Sequence, residues 1–115
     1  MNISMSYYTH IGRRSNNEDS LIAVEGPRGV LACVADGLGG HQNGEVASRT
    51  AVDTLERLLA EQEISEDSLE DAVLEADEAV RRVHKTAPGA LTTIAVLWLG
   101  EKRAAAAHVG DSRIY

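Results

Sequence analysis

The sequence from Val30 to Glu45 is VLACVADGLGGHQNGE, and it decides the fold predicted for the rest of the chain. The nearly continuous apolar run of Val30–Ala35 predicts a central strand that is covered on both faces. Asp36 ends this strand. Four glycines follow between positions 37 and 44, and they let backbone groups come close to whatever the carboxylate holds. Carboxylate and carbonyl oxygens are the ligands that magnesium and manganese prefer, although Asp-Gly is also a common turn in which the aspartate caps backbone amides.

Two segments before this strand also have strand character. Ile3–Ile11 contains β-branched and aromatic residues in rough alternation and is closed by Gly12, so it predicts a strand. Leu21–Val24 predicts a shorter one. The Gly-Pro-Arg-Gly turn at positions 26–29 would join it to the central strand as a hairpin.

The hydrophobic period changes after the glycine-rich turn. Apolar residues then recur every three or four positions, which predicts helices at about 44–62 and about 66–86. Ser65 is the predicted N-cap of the second helix, and Pro88-Gly89 ends it. Two amphipathic helices joined by a short link predict an antiparallel pair packed on a sheet.

The last third of the sequence predicts another hairpin. Leu91–Leu99 is β-branched and apolar, positions 100–102 form a tight turn, and Arg103–Val109 is the predicted partner strand. A second glycine–aspartate corner follows at Gly110-Asp111, and a further strand is expected to begin at Ile114-Tyr115.

The composition is that of a single soluble globular domain covering residues 1–115. Hydrophobic residues make up 43% of the chain and charged residues 25%. The net charge of −7 argues against nucleic acid as a partner. With no signal peptide and no apolar run of membrane-spanning length, we expect no membrane partner and a cytoplasmic location. The single cysteine, Cys33, is expected to be a buried small hydrophobe.

Acidic side chains are concentrated at three predicted strand ends or turns: Glu18-Asp19, Asp36-Gly37 and Gly110-Asp111. Strand ends at one edge of a sheet can converge, and converging carboxylates repel one another unless a cation lies between them. Such a site could activate water and hold a phosphate. Glu18-Asp19 alone could equally be a solvated turn, and spacing alone does not bring the three corners together.

Two further side chains could belong to this site. Arg14 precedes Glu18 by four residues, and a guanidinium beside metal-binding carboxylates suits bidentate binding of a phosphate, although a surface salt bridge is the alternative. His41 follows two glycines and could be a ligand or a proton donor, or could make local backbone contacts in the turn.

These motifs resemble the bacterial branch of the metal-dependent serine/threonine protein phosphatases (PPM, type 2C). The resemblance extends over about residues 7–115 and involves several motifs in matching order and spacing. The matching segments are Arg14-x-x-Asn17-Glu18-Asp19, Val34-Ala35-Asp36-Gly37-Leu38-Gly39-Gly40-His41-x-x-Gly44-Glu45-Val46-Ala47-Ser48, Thr92-Thr93 and Ala107-His108-Val109-Gly110-Asp111-Ser112-Arg113.

The resemblance implies a fold and a set of metal ligands. The fold would be α+β, the N-terminal part of an α-β-β-α sandwich that is incomplete at the C-terminus. Asp36 would bridge two Mn²⁺ or Mg²⁺ ions, the Gly37 carbonyl would bind one of them, and Glu18 would bind the other. Asp19 would hold water at the metal site, and Asp111 would correspond to the ligand of a third, weaker ion.

The resemblance also implies a reaction. Water activated by the metals would attack phosphoserine or phosphothreonine directly, without a phosphoenzyme, while Arg14 binds the substrate phosphate. The partners would be phosphorylated proteins and a serine/threonine kinase pathway. Leu38 stands where animal members carry a histidine proposed as general acid, so the proton donor is unassigned.

The length of the family domain sets a further expectation. That domain is about twice as long as this chain, and two more metal-binding aspartates lie in its second half. We therefore expect weak metal binding and little turnover from the 115 residues alone. The alternative is a non-catalytic module that binds a phosphoprotein or another partner through Arg14 and exposed sheet edges.

Overall fold

The computed structural model of the chain describes residues 3–12, 17–38, 43–61 and 64–115. In this part of the chain, two helices and four strands form an α+β arrangement. The elements are β1 (Asp19–Glu25), β2 (Val30–Asp36), α1 (Gly44–Ala60), α2 (Leu69–His84), β3 (Ile94–Leu99) and β4 (Ala104–Val109).

The four strands form one antiparallel sheet in the order β1-β2-β3-β4. Each hairpin turn is where the sequence predicts it. Gly26 N–H donates to the Gly29 carbonyl at 2.7 Å, and Gly100 N–H donates to the Arg103 carbonyl at 2.8 Å. The β1–β2 register places Asp19 directly opposite Asp36, so the two strands meet at an acidic end.

Both helices pack on one face of this sheet, and the core lies between them. The inward-facing residues of β2 include Leu31 and Cys33, which are fully buried. Val52 and Leu55 of α1 are also completely buried in the same cluster. Trp98 of β3 is the one aromatic side chain in the cluster, and the rest is aliphatic, as a chain without phenylalanine requires.

The opposite face of the sheet is only partly covered by the described residues. Val34 points to this face and is 46% exposed. The prediction that β2 is central is confirmed, but the prediction that it is covered on both faces is wrong for the described part of the chain. The physical reason is that α1 and α2 lie side by side and therefore bury the same face.

The segment Ile3–Ile11 is not a strand, which corrects the prediction. Its alternation supplies side chains for two faces, but a strand also needs a neighbouring backbone, and no ladder joins this segment to the rest of the described chain. Tyr7 and Tyr8 are 70% and 80% exposed. Ile114-Tyr115 does not begin a strand either.

The helices agree with the prediction except at their ends. The N-cap of α2 is Ser68 rather than Ser65. The reason is a turn that precedes the helix: Ser68 N–H donates to the Ser65 carbonyl, and Ser65 N–H donates to Ser68 Oγ at 2.8 Å. None of the helices in the described ranges is both long enough and apolar enough to cross a membrane.

Candidate functional site

Two aspartates face each other at the end of the β1–β2 ladder. Asp19 and Asp36 are directly opposite in the antiparallel register. Because residues paired in this way project to the same face, both carboxylates lie on the face away from the helices. Both residues are exposed. Carboxylates that are this close favour a cation between them.

Glu18 lies just before β1 and turns the other way, towards the helices. Its Oε2 atom is buried and has no hydrogen-bond partner among the described residues. The same atom lies against Gly44, the first residue of α1, so closely that a β-carbon at position 44 would overlap it. A helix N-terminus favours negative charge, but a buried carboxylate oxygen without a partner is costly. Glu18 therefore has a ligand oxygen that a cation could satisfy.

The turn after Asp36 is held in place by backbone contacts. Gly37 is buried, and its N–H donates to the Glu18 carbonyl at 3.0 Å. A β-carbon at Gly37 would overlap the carbonyl oxygens of Glu18 and Gly44, both of which are backbone atoms. Gly37 also forms an isolated bridge with Thr92. The glycine is required because the backbone of the first residue of α1 and that of the residue before β1 both approach it.

Two serines support Glu18 from inside the core. Ser48 is fully buried in α1, and its hydroxyl donates to the Glu18 carbonyl at 2.6 Å. Ser20 Oγ lies 2.9 Å from Ser48 Oγ, and it is the donor in that pair because the Ser48 proton is already used. Sequence reasoning named Ser48 only as part of a matching motif and did not name Ser20, although a serine on the apolar face of a helix is a usable signal.

Thr93 links Asp36 to the second glycine–aspartate corner. Its Oγ1 accepts from Asp36 N–H at 3.2 Å, and its own N–H donates to the Asp36 carbonyl at 2.9 Å. Thr93 Oγ1 also hydrogen-bonds to Ser112 Oγ. Gly110 turns towards Thr93 with φ +93°, where a β-carbon would lie 2.7 Å from Thr93 Cγ2. Thr93, like the two serines, is a residue that sequence reasoning left without a role.

The predicted site residues are thus brought together only in part. Glu18, Asp36 and Gly37 lie at one end of the sheet, and Asp111 adjoins Ser112 there and is exposed. Arg14 and His41 lie outside the described residues. Within the described ranges, no group of three or more histidine, cysteine, aspartate or glutamate side chains is arranged to hold a metal ion. The assignment of metal ligands stays a prediction.

A cleft of about 290 Å³ opens beside the two aspartates. The segment that ends at Gly12 forms one wall through Tyr8 and His10, and Ser112 contributes from the second glycine–aspartate corner. Asn17 fixes this wall relative to β1. Its Oδ1 accepts from Asp19 N–H at 3.1 Å, and its Nδ2 donates to Thr9 Oγ1 at 3.0 Å.

Comparison with known proteins places this chain in a family. The model of the family described as Protein phosphatase 2C matches residues 8–115. The chain belongs to this family, as the resemblance of its motifs predicts.

Three relatives illustrate the similarity. The chain is 32% identical over 121 residues to a protein phosphatase 2C-type protein of Streptococcus pyogenes, covering 97% of the chain and 49% of that protein. It is 37% identical over 108 residues to the serine/threonine protein phosphatase PstP of Mycobacterium tuberculosis, covering 89% of the chain and 20% of PstP. It is 31% identical over 127 residues to the protein phosphatase PhpP of Streptococcus pneumoniae, covering 97% and 49%. The chain spans about half the length of the streptococcal relatives.

Proposed function

We propose that this chain forms the acidic, metal-binding part of a protein serine/threonine phosphatase. The observation that carries the proposal is the buried Glu18 Oε2 beside the Asp36-Gly37 turn, an atom that has no hydrogen-bond partner within the described ranges. Family membership supports it, since relatives of the chain are named as serine/threonine protein phosphatases. The substrates would be proteins phosphorylated on serine or threonine, within a serine/threonine kinase pathway.

The ligands for this function would come from the sheet end. Glu18, Asp36 and the Gly37 carbonyl would hold two Mn²⁺ or Mg²⁺ ions, and Asp111 a third. When bound, ions of this kind activate water and neutralise the charge of a phosphate. Arg14 would bind the phosphate through its guanidinium. Asp19, opposite Asp36, would orient water through its carboxylate.

The supporting residues would keep the ligands in place. Ser48 holds the Glu18 backbone, and Thr93 holds the Asp36 backbone through two hydrogen bonds. A ligand set held by buried hydrogen bonds loses little conformational entropy when a cation binds. The buried hydroxyls therefore contribute to metal affinity although they would not touch the metal.

The exposed sheet face fits the family architecture. Val34 is 46% exposed on the face opposite the helices, and a sheet with a half-exposed apolar side chain there favours a second layer. We propose that a second sheet covers this face in the complete domain, which would make an α-β-β-α sandwich with residues 1–115 as its N-terminal portion.

The test is hydrolysis of a phosphothreonine peptide by the complete protein as its cell makes it, with Mn²⁺ or with a chelator. We expect hydrolysis only with Mn²⁺, and an Asp36→Asn variant should lose about 100-fold or more in rate, or about 2.7 kcal/mol of barrier. Glu25→Gln, at the other end of β1, is the matched control and should keep full activity. Hydrolysis that survives chelation, or that Asp36→Asn leaves unchanged, would overturn the proposal.

A binding module is the second candidate function. It is favoured by the two outer strands, β1 and β4, which have no neighbour on their outer side in the described part of the chain. Such edges can pair with an extended segment of a partner. The same assay separates the two functions, because a module would bind the phosphopeptide without hydrolysing it at any Mn²⁺ concentration.

A further inference from the structure

His10 lies in the wall of the cleft that contains Asp19 and Asp36. Its ring is exposed and lies near the Tyr8 ring, with centroids 6.1 Å apart and planes at 14°. The segment that carries it is tied to β1 by the Asn17–Thr9 hydrogen bond. The position of His10 relative to the acidic pair is therefore built into the fold.

The tautomer of His10 follows from one hydrogen bond. Gly12 N–H donates to His10 Nδ1 at 2.8 Å, so Nδ1 is the acceptor and carries no proton. A neutral imidazole then has its proton on Nε2. Nε2 has no partner among the described residues, so His10 presents an unused N–H donor in the cleft.

The charges that line the cleft indicate which kind of group this N–H donor could bind. The described residues that line the cleft include two aspartates and no lysine or arginine. A phosphoryl group entering beside two carboxylates is repelled unless donors and cations face its oxygens. A neutral N–H donor in the lining of the same cleft meets part of this requirement without adding a charge.

We propose that His10 Nε2–H donates a hydrogen bond to a phosphoryl oxygen of the substrate, an inference that rests on the phosphatase function proposed above. His10 would be a substrate-binding residue, and the ligand class is the phosphate of a phosphorylated serine or threonine side chain. Asn17 would be a positioning residue, since it holds the His10 segment against Asp19.

The two nitrogens of His10 can be tested separately by substitution. His10→Asn keeps an acceptor at the position of Nδ1 and so keeps the Gly12 turn, but it removes the distal donor. His10→Gln places an amide N–H near the position of Nε2. We expect His10→Asn to weaken phosphate binding about five- to tenfold, as for loss of one hydrogen bond to a charged group, and His10→Gln to weaken it less than about twofold.

The measurement is a titration of the 115-residue chain with inorganic phosphate in the presence of Mg²⁺, followed by NMR. The readouts are the His10 ring nitrogens and the backbone amides of Asp36 and Gly37. We expect saturable shifts of Nε2 but not of Nδ1 in the parent chain. Mg²⁺ affinity, measured from the same amides before phosphate is added, should be equal in the parent and both His10 variants.

Each other outcome has a definite meaning. If the Asp36 and Gly37 amides report phosphate binding while His10 Nε2 does not shift, or if His10→Asn binds phosphate like the parent chain, the His10 inference is overturned and the phosphatase proposal stands. If Mg²⁺ itself leaves the Asp36 and Gly37 amides unchanged, the proposed metal site has failed, and the His10 inference fails with it.

Discussion

Glu18 reaches the first turn of α1 because position 44 carries no side chain. A Gly44→Ala substitution would place a β-carbon on Glu18 Oε2, and the flexible carboxylate rather than the backbone would have to move. Gly44 is the first residue of α1 and does not have a positive φ, so alanine can adopt its backbone conformation and the helix should still form. We expect Mn²⁺ affinity to fall about tenfold, measured by calorimetry.

The control for this substitution is Val46→Ala, which also changes the first turn of α1 but leaves Gly44 in place beside Glu18 Oε2. It should leave Mn²⁺ affinity unchanged. If Gly44→Ala and Val46→Ala bind Mn²⁺ equally well, the Glu18 carboxylate is not a ligand.

Ser20 and Ser48 should act as a unit. Removing the Ser48 hydroxyl leaves Ser20 Oγ without its buried partner and leaves the Glu18 carbonyl with Gly37 N–H as its remaining donor, so Ser48→Ala should cost about 1–3 kcal/mol of unfolding free energy. In the double variant with Ser20→Ala, the unpaired Ser20 hydroxyl is gone. Urea denaturation of the four proteins should therefore show a double-variant loss smaller than the sum of the two single losses. Strict additivity would mean that the two hydroxyls do not interact.

At the scale of elements, the helices are stabilised by one buried face each. Leu55 of α1 is fully buried, whereas Leu74 of α2 is 58% exposed. Leu55→Ala should therefore lower the unfolding free energy by about 2–5 kcal/mol, and Leu74→Ala by no more than about 0.5 kcal/mol. Equal losses in urea denaturation would contradict this assignment of buried and exposed helix faces.

Local pattern predicted most of these elements. The positions of α1, α2 and the four strands follow from hydrophobic period and glycine turns, which act within a few residues. Ile3–Ile11 was predicted wrongly because alternation does not reveal whether a partner strand exists. Ser65 was predicted wrongly as an N-cap because a turn between serines competes with capping.

The arrangement of the site was less predictable than the elements. The three acidic corners were recognised from sequence, but the contact of Thr93 with Asp36 joins residues that are 57 positions apart. The Thr93–Ser112 hydrogen bond likewise depends on the β2–β3 and β3–β4 registers. Register is determined by the pairing of whole strands, which no single motif specifies.

At the scale of the whole molecule, Cys33 is buried in the core between the sheet and the helices. Burial raises the pKa of the Cys33 thiol from 9.0 to about 12. The unfolded chain therefore loses this proton first as pH rises, so the stability that the neutral thiol contributes is complete below pH 9 and is lost between pH 9 and about pH 12.

We expect the unfolding free energy to fall more from pH 8 to pH 10 in the parent chain than in Cys33→Ala, measured by urea denaturation. Equal pH dependence in the two proteins would show that the thiol ionises as readily in the folded chain as in the unfolded one. Because Cys33 is the only cysteine in the sequence, no other thiol contributes to this comparison.

Metal binding at the acidic sheet end is the claim on which the functional account depends. The most direct measurement is the Mn²⁺ affinity of the 115-residue chain by calorimetry, compared with Glu18→Gln, Asp36→Asn and the distant control Glu25→Gln. We predict weak binding to the parent chain, at least about tenfold weaker binding to Glu18→Gln and Asp36→Asn, and no change in Glu25→Gln. Mn²⁺ affinity that is the same in all four proteins would contradict the account.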